Sequence, residues 1–419
     1  MNPPAQDRKG SPPANWGVRA GKLLRTFEIS WLASVFLVLG GCHEYRDPSD
    51  AWADDPDAIV HPVKDSLLSS LADVPVLSMS LEDQPNPMAT ELIGALADFG
   101  RQSVFGQLDG PVDSVLGELI DAAVLSNGEI AVLDRNYGLV RLFSATLEPM
   151  TVLGGFGEGP GEVEDPVAIF EHPKGWITVV DADGVRLERF DFERPEGQIE
   201  RTPLPVYHAY DGCGIQNRSF VVGTNVAFDF EQRTASLVSP GVVHEIDLSG
   251  DLVNSFAIPY SNMRDYEVAT TYGMAFLECE DTQEGGRIWV AYSTLGEVHS
   301  MNSSGELQWI ASLSDLRYPN QIQTQSAMGM DPEQTDLIEL ISNISLLSDS
   351  VLAVQVSSTR RFSRTERETS FRTYLLEKET GRFLGGLRGS HQVLGGGQRH
   401  AVLYQASPHP QISLAEIGR

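Results

Sequence analysis

Nine histidines are scattered along the 419-residue chain, and four of them, His172, His208, His391 and His400, fall in or beside short apolar runs. Imidazole is a common metal ligand, but no HxH, HExxH or closely spaced cysteine pair is present to build a local metal site. A metal could be held only where residues distant in sequence meet. The segment GGFGEGPGEVEDP, residues 154–166, has the glycine density of a phosphate cradle. Glu158, Glu162 and Glu164 would repel anions there, and the segment leads into a β-branched run, so the expected role is a sharp turn with glycines at positive φ. Asp181, Asp183 and Gly184 open like a calcium loop but lack the bidentate Glu that completes one; a hairpin accounts for them. Arg360, Arg361, Arg364 and Arg367, in RRFSRTERE, could hold a carboxylate or a sulfate. Together with Glu158 and Glu162 they form the candidate binding face. Catalytic residues are not assigned, and no cofactor is predicted.

The three cysteines divide into two kinds. Cys213 and Cys279 precede the second strands of neighbouring repeats, where a disulfide is possible in an oxidising compartment. Equivalent positions of adjacent repeats are expected to lie beyond the roughly 7 Å Cα limit, which favours free buried thiols. Cys42 has a different setting. Arg19, Lys22 and Arg25 precede the apolar run ISWLASVFLVL, followed by Gly40, Gly41 and Cys42. These are the three parts of an export signal, and the run is shorter than the roughly 20 residues of a membrane helix.

LGGC at residues 39–42 resembles the bacterial lipobox, in which the Cys thiol receives a diacylglycerol before cleavage. The resemblance implies a signal peptide over residues 1–41 and a lipidated Cys42 that anchors the chain to a membrane without crossing it. His43 follows where an Asp would resemble an inner-membrane retention signal, so the outer membrane is favoured. Residues 42–71, rich in Asp, Pro, Ser and Ala, read as a flexible tether.

These residues need a scaffold, and a repeat supplies it. Apolar runs recur at IAVLD, ITVVD, FVVGT, IWVAY, LAVQV and AVLYQ, beginning at Ile130, Ile177, Phe220, Ile288, Leu352 and Ala401. Spacings of roughly 40 to 70 residues between strand-like runs are those of propeller blades carrying insertions. Second strand-like segments follow each run, and SGDLVNSFAI, SGELQWIASL and TGRFLGGLR add a third. An all-β, six-bladed β-propeller over residues 72–419 is therefore expected. The last blade ends at its third strand, so its outer strand should come from the amino-terminal region, with PVLSMSL from Pro75 as the candidate. Insertions are expected at residues 225–240, 260–270 and 318–340, with a short helix over Pro332–Ser342.

The 154–166 segment resembles the G-x-G-x-G-P-G-E-F loop of six-bladed NHL-type propeller lipoproteins of bacteria, with Val163 in place of the usual aromatic. In that family the loop joins the outer strand of one blade to the next blade. The resemblance implies the fold and export, and no particular activity. The formal net charge of -28 disfavours nucleic acid. The reading is a membrane-tethered binding or scaffold propeller for a protein, peptide or glycan of the cell envelope. The alternative is a metal-dependent lyase or lactonase-type hydrolase, with a metal held near the propeller axis. It needs the histidines to meet acidic residues there.

Overall fold

A computed structural model describes residues 74–100, 103–111, 114–192, 199–224, 226–229, 234–237, 241–257, 273–282, 285–316, 337–361 and 367–417. All belong to one compact unit, Pro48–Arg419. Cys42, the signal and the tether lie outside the described residues.

Two short strands, β1 (Val76–Met79) and β2 (Val104–Phe105), flank a helix, α1 (Thr90–Ala97). Six blades follow. Blade 1 comprises β3 (Leu119–Val124), β4 (Ile130–Asp134), β5 (Leu139–Phe143) and β6 (Pro149–Gly154). Blade 2 comprises β7 (Pro166–Glu171), β8 (Trp176–Asp181), β9 (Arg186–Asp191) and β10 (Ile199–Pro203). Blade 3 takes β11 (Tyr207–Ile215) and β12 (Arg218–Thr224), then β15 (Val243–Asp247) and β16 (Leu252–Phe256). Between them a separate hairpin, β13 (Val226–Asp229) and β14 (Thr234–Leu237), occupies the first expected insertion. Blade 4 comprises β17 (Ala275–Glu280), β18 (Arg287–Tyr292), β19 (Glu297–Asn302) and β20 (Leu307–Leu313). Blade 5 comprises β21 (Leu337–Ser348), β22 (Val351–Arg361), β23 (Arg367–Glu377) and β24 (Phe383–Gly389). Blade 6 comprises β25 (Gln392–Gly396), β26 (His400–Gln405) and β27 (Gln411–Glu416), completed by β2.

The second strand of each blade is buried on both faces, which explains why these strands read as continuous apolar runs. Side chains alternate along a strand. In β4, Ile130 and Val132 pack against blade 6, while Ala131 and Leu133 pack against blade 2. In β18, Ile288, Val290 and Tyr292 face blade 3, and Trp289 and Ala291 face blade 5. The core is thus six apolar clusters, each between two neighbouring blades, and the last pair, blades 6 and 1, closes the ring.

Closure departs from the expectation in one respect. The amino-terminal region does supply the outer strand of blade 6, but through Val104 and Phe105, which pair with Ser413 and Ile412. The Pro75 segment instead forms β1, parallel to β20 on the outer edge of blade 4. Between the two, α1 lies against blade 5 and buries Leu96 among Leu375, Leu384 and Leu403. Residues 76–105 therefore run as a belt over three consecutive blades. The helix expected over Pro332–Ser342 is also corrected: from Leu337 on the chain is strand, pairing with β22 from Leu337↔Arg360 onward. Residues 332–336 lie outside the described residues.

Candidate axial cavity and loop face

The inner strands enclose a cavity of about 190 Å³, lined in part by Asp121, Asp211, Glu278 and Asn343. Each of these four polar side chains makes the same connection. Asp121 accepts hydrogen bonds from its own neighbour Ala122 N at 2.8 Å and from Ile169 N of blade 2 at 2.7 Å. Asp211 accepts from Gly212 N at 2.8 Å and from Leu277 N of blade 4 at 2.7 Å. Glu278 accepts from Cys279 N at 3.0 Å and from Leu346 N of blade 5 at 2.8 Å. Asn343 accepts from Ile344 N and donates through Nδ2 to Val393 O and Leu394 O of blade 6. Strand irregularities immediately precede Asp121, Asp211 and Asn343 and turn these residues inward. β17 pairs regularly and uses the longer Glu in the same role.

At the join of blades 6 and 1 a glycine does the equivalent work. A Cβ on Gly395 would lie 1.9 Å from Ala122 O, so only glycine permits this approach. Burial is the main force raising the axial carboxyl pKa values, and mutual repulsion adds to it. Asp121 and Glu278 are each pushed up to about 7, and Asp211 well above its usual range. The cavity is thus acidic in composition, with the proton affinity of its carboxyls raised and both oxygens of each carboxyl engaged by backbone N–H groups. The sequence reading missed these residues. The available signal was an acidic or amide side chain inside the first strand of blades 1, 3, 4 and 5.

The face carrying the Gly-rich loop is built from a second device. The loop joins β6 to β7, with φ of 90° at Gly154, 147° at Gly157 and 78° at Gly161. Asp181, at the end of β8, accepts N–H groups from Glu164 and Asp165 of that loop. Arg186 of β9 donates to Gly157 O at 2.9 Å and Glu162 O at 3.0 Å, and pairs with Asp181 at 2.9 Å. Blade 1 repeats the pattern. Asp134 accepts from Gly117 N of the incoming chain and pairs with Arg141, which donates to Val115 O. Asp181 is therefore occupied as an anchor for the loop. Val163 is buried, and Glu162 Oε2 accepts from Gly159 N within the loop. Glu158 is exposed, as are the rings of Phe156 and Tyr137.

Other expected site residues are scattered. Arg360 is exposed at the end of β22. Arg361 and Arg367 pair in the backbone ladder, and Arg364 lies outside the described residues. The hairpin points to the same face as the Gly-rich loop, but it belongs to blade 5, across the ring from the junction of blades 1 and 2. Glu158 and Glu162 thus do not form one cluster with Arg360. None of the four histidines lines the cavity. His172 is buried near Ser219, and burial lowers its pKa to about 4. His391 Nε2 donates to Leu96 O of α1 at 2.6 Å, tying blade 6 to the belt. His208 begins blade 3 beside Asp183, and His400 lies near Glu416. Among the described residues, no group of three or more His, Cys, Asp or Glu is arranged to hold a metal ion.

Cys213 and Cys279 are joined as a disulfide, with Cα atoms 5.7 Å apart. This corrects the expectation of free thiols: inner strands of adjacent blades approach within bridging distance near the axis.

No family model matches the chain, and no curated protein matches it. Similar solved structures include a Bacteroides fragilis protein named a "putative exported protein", 11% identical over 79% of this chain and 88% of that chain, with a TM-score of 0.49. A duf4221 family member from Bacteroides vulgatus is 12% identical over 76% of this chain and 98% of that one, also at 0.49. Virginiamycin B lyase from Staphylococcus aureus is 12% identical over 74% and 83%, at 0.37. No helix among the described residues is long and apolar enough to cross a membrane.

Proposed function

We propose that the chain is an exported, lipid-anchored β-propeller that binds a partner in the cell envelope through the loop face over blades 1 and 2. The observation that carries this reading is the bracing of that face. Asp134, Arg141, Asp181 and Arg186 fix the loops from beneath, while Tyr137 and Phe156 remain exposed above them. Rigid scaffolds with exposed loop side chains are the usual setting for recognition. The Cys213–Cys279 bridge supports an oxidising compartment, in line with the export signal. The LGGC segment and the NHL-type loop support a bacterial lipoprotein, and His43 favours the outer membrane.

Fractionation of cells making the Cys42→Ala protein tests the anchor, which requires the membrane-bound pool to become soluble and to lose acyl labelling. Photo-crosslinking in intact envelopes tests the face. A crosslinker at Asn136, in the β4–β5 turn, should capture a partner; one at Asn127, in the β3–β4 turn on the opposite face, should not. Equal capture from both positions would remove the assignment.

The lyase or hydrolase reading required histidines to meet acidic residues on the axis. The acidic residues are there, and the histidines are not. Metal content and melting temperature before and after chelation test what remains of it, since a bound metal stabilises the state that holds it.

A further inference from the structure

We propose that the loop face over blades 1 to 3 docks a lysine- or arginine-bearing peptide segment, an inference that rests on the reading of this face as the binding face and names the partner chemistry. Three aromatic side chains stay out of the core here: Tyr137 at 37% exposure, Phe156 at 54% and Tyr207, at the start of β11, at 50%. By contrast, Phe143, Phe190, Phe220 and Tyr292 are buried within the blades. Phe156 lies against the β4–β5 turn, since a Cβ on Gly138 would come within 3.1 Å of its ring, and Tyr137 stands on that same turn.

Around these rings stand the exposed carboxylates Glu118, Glu158 and Asp183. Each nearby arginine is held in an ion pair. Arg135 pairs with Asp165, Arg201 pairs with Glu188 while donating to Glu158 O and Gly159 O, Arg186 pairs with Asp181, Glu188 and Glu164, and Arg141 pairs with Asp134 and stands over the Tyr137 ring, 5.6 Å from its centroid. What the face presents outward is therefore aromatic rings within a negative rim. A ring face attracts cations through its quadrupole, and the rim adds a field that repels anions. A neutral sugar would gain from the rings but nothing from the rim, so charge complementarity selects the basic segment.

Fluorescence anisotropy with the full-length protein tests this. The probes are a labelled nine-residue peptide alternating Lys and Gly, its Lys-acetylated counterpart, and a Glu counterpart. The Lys peptide should bind and the other two should not. Combined Phe156→Ala and Tyr207→Ala should weaken binding about tenfold at an unchanged melting temperature. Glu118→Gln, Glu158→Gln and Asp183→Asn together should weaken it similarly. Asp251→Asn, Glu306→Gln and Asp349→Asn remove equal charge from exposed turns of the opposite face and should leave affinity unchanged. Equal loss in both charge sets, with no effect of the aromatic variant, would mean diffuse attraction to an acidic protein and would overturn the proposal. So would binding of the acetylated peptide at full strength, or no binding at all. Crosslinking from Asn136 would still report a bound partner of other chemistry, so this inference can fail while the binding-face reading stands.

Discussion

Asp121, Asp211 and Glu278 each place one carboxyl group between two blades and satisfy two backbone N–H donors with it. Replacing Asp211 with Ala should leave Gly212 N and Leu277 N without acceptors in a closed site, and lower stability by about 2–5 kcal/mol in denaturant unfolding. These carboxyls also bind protons more tightly folded than unfolded. Their pKa values rise from 3.8 to about 7 for Asp121 and from 4.5 to about 7 for Glu278. The stabilisation tied to their protonation is complete below the unfolded values and is lost as pH rises through the folded ones. Stability should therefore fall between about pH 4 and 7. The combined Asp121→Asn and Glu278→Gln protein should show a flatter slope across that window than the parent, read from unfolding midpoints. An unchanged slope would place the linkage elsewhere.

At the scale of the element, what was legible followed burial. Second strands such as IAVLD and IWVAY are covered on both faces, so their apolar runs stand out and mark six blades. First strands carry small residues and an axial acid, as in LIDAAV and AFLECE, and local pattern gives no hint that the acid points into the ring. The belt was hidden for another reason: β2 has 2 residues and β1 has 4, and which blade each joins depends on ring geometry. The repeated Asp and Arg of LDRNYGLVR and VDADGVR were visible, yet their partners are loops that only the fold brings near. That pairing makes a prediction. Asp181→Ala should leave Glu164 N and Asp165 N without their acceptor, while Arg186 keeps Glu188 and Glu164, and cost about 1–3 kcal/mol. Limited proteolysis should then cut within residues 154–166 first; cleavage elsewhere would show that the loop is held without it.

For the whole molecule, the ring has to stay closed against its own charge. A net charge of -28 favours expansion, and the apolar clusters between blades oppose it. Two features act across the joins. The Cys213–Cys279 bridge fastens blade 3 to blade 4 with a sequence separation of 66, and its reduction should lower stability by about 2–4 kcal/mol. The belt acts on the other side, covering the outer edges of blades 4, 5 and 6. Phe105 packs edge-to-face on Phe143 of blade 1 at 4.9 Å, so β2 also touches the blade beyond the one it completes. Deleting residues through Phe105 should open the edges of β20 and β27 to pairing with other chains, because uncovered strand edges template association. Size-exclusion chromatography should show the truncated chain as oligomers at concentrations where the full chain is monodisperse. Salt screens the charge within about 10 Å at 0.1 M, so added salt should raise the melting temperature of both chains yet leave those oligomers in place. If salt dissolved them, charge and not the missing strand would be what the belt controls.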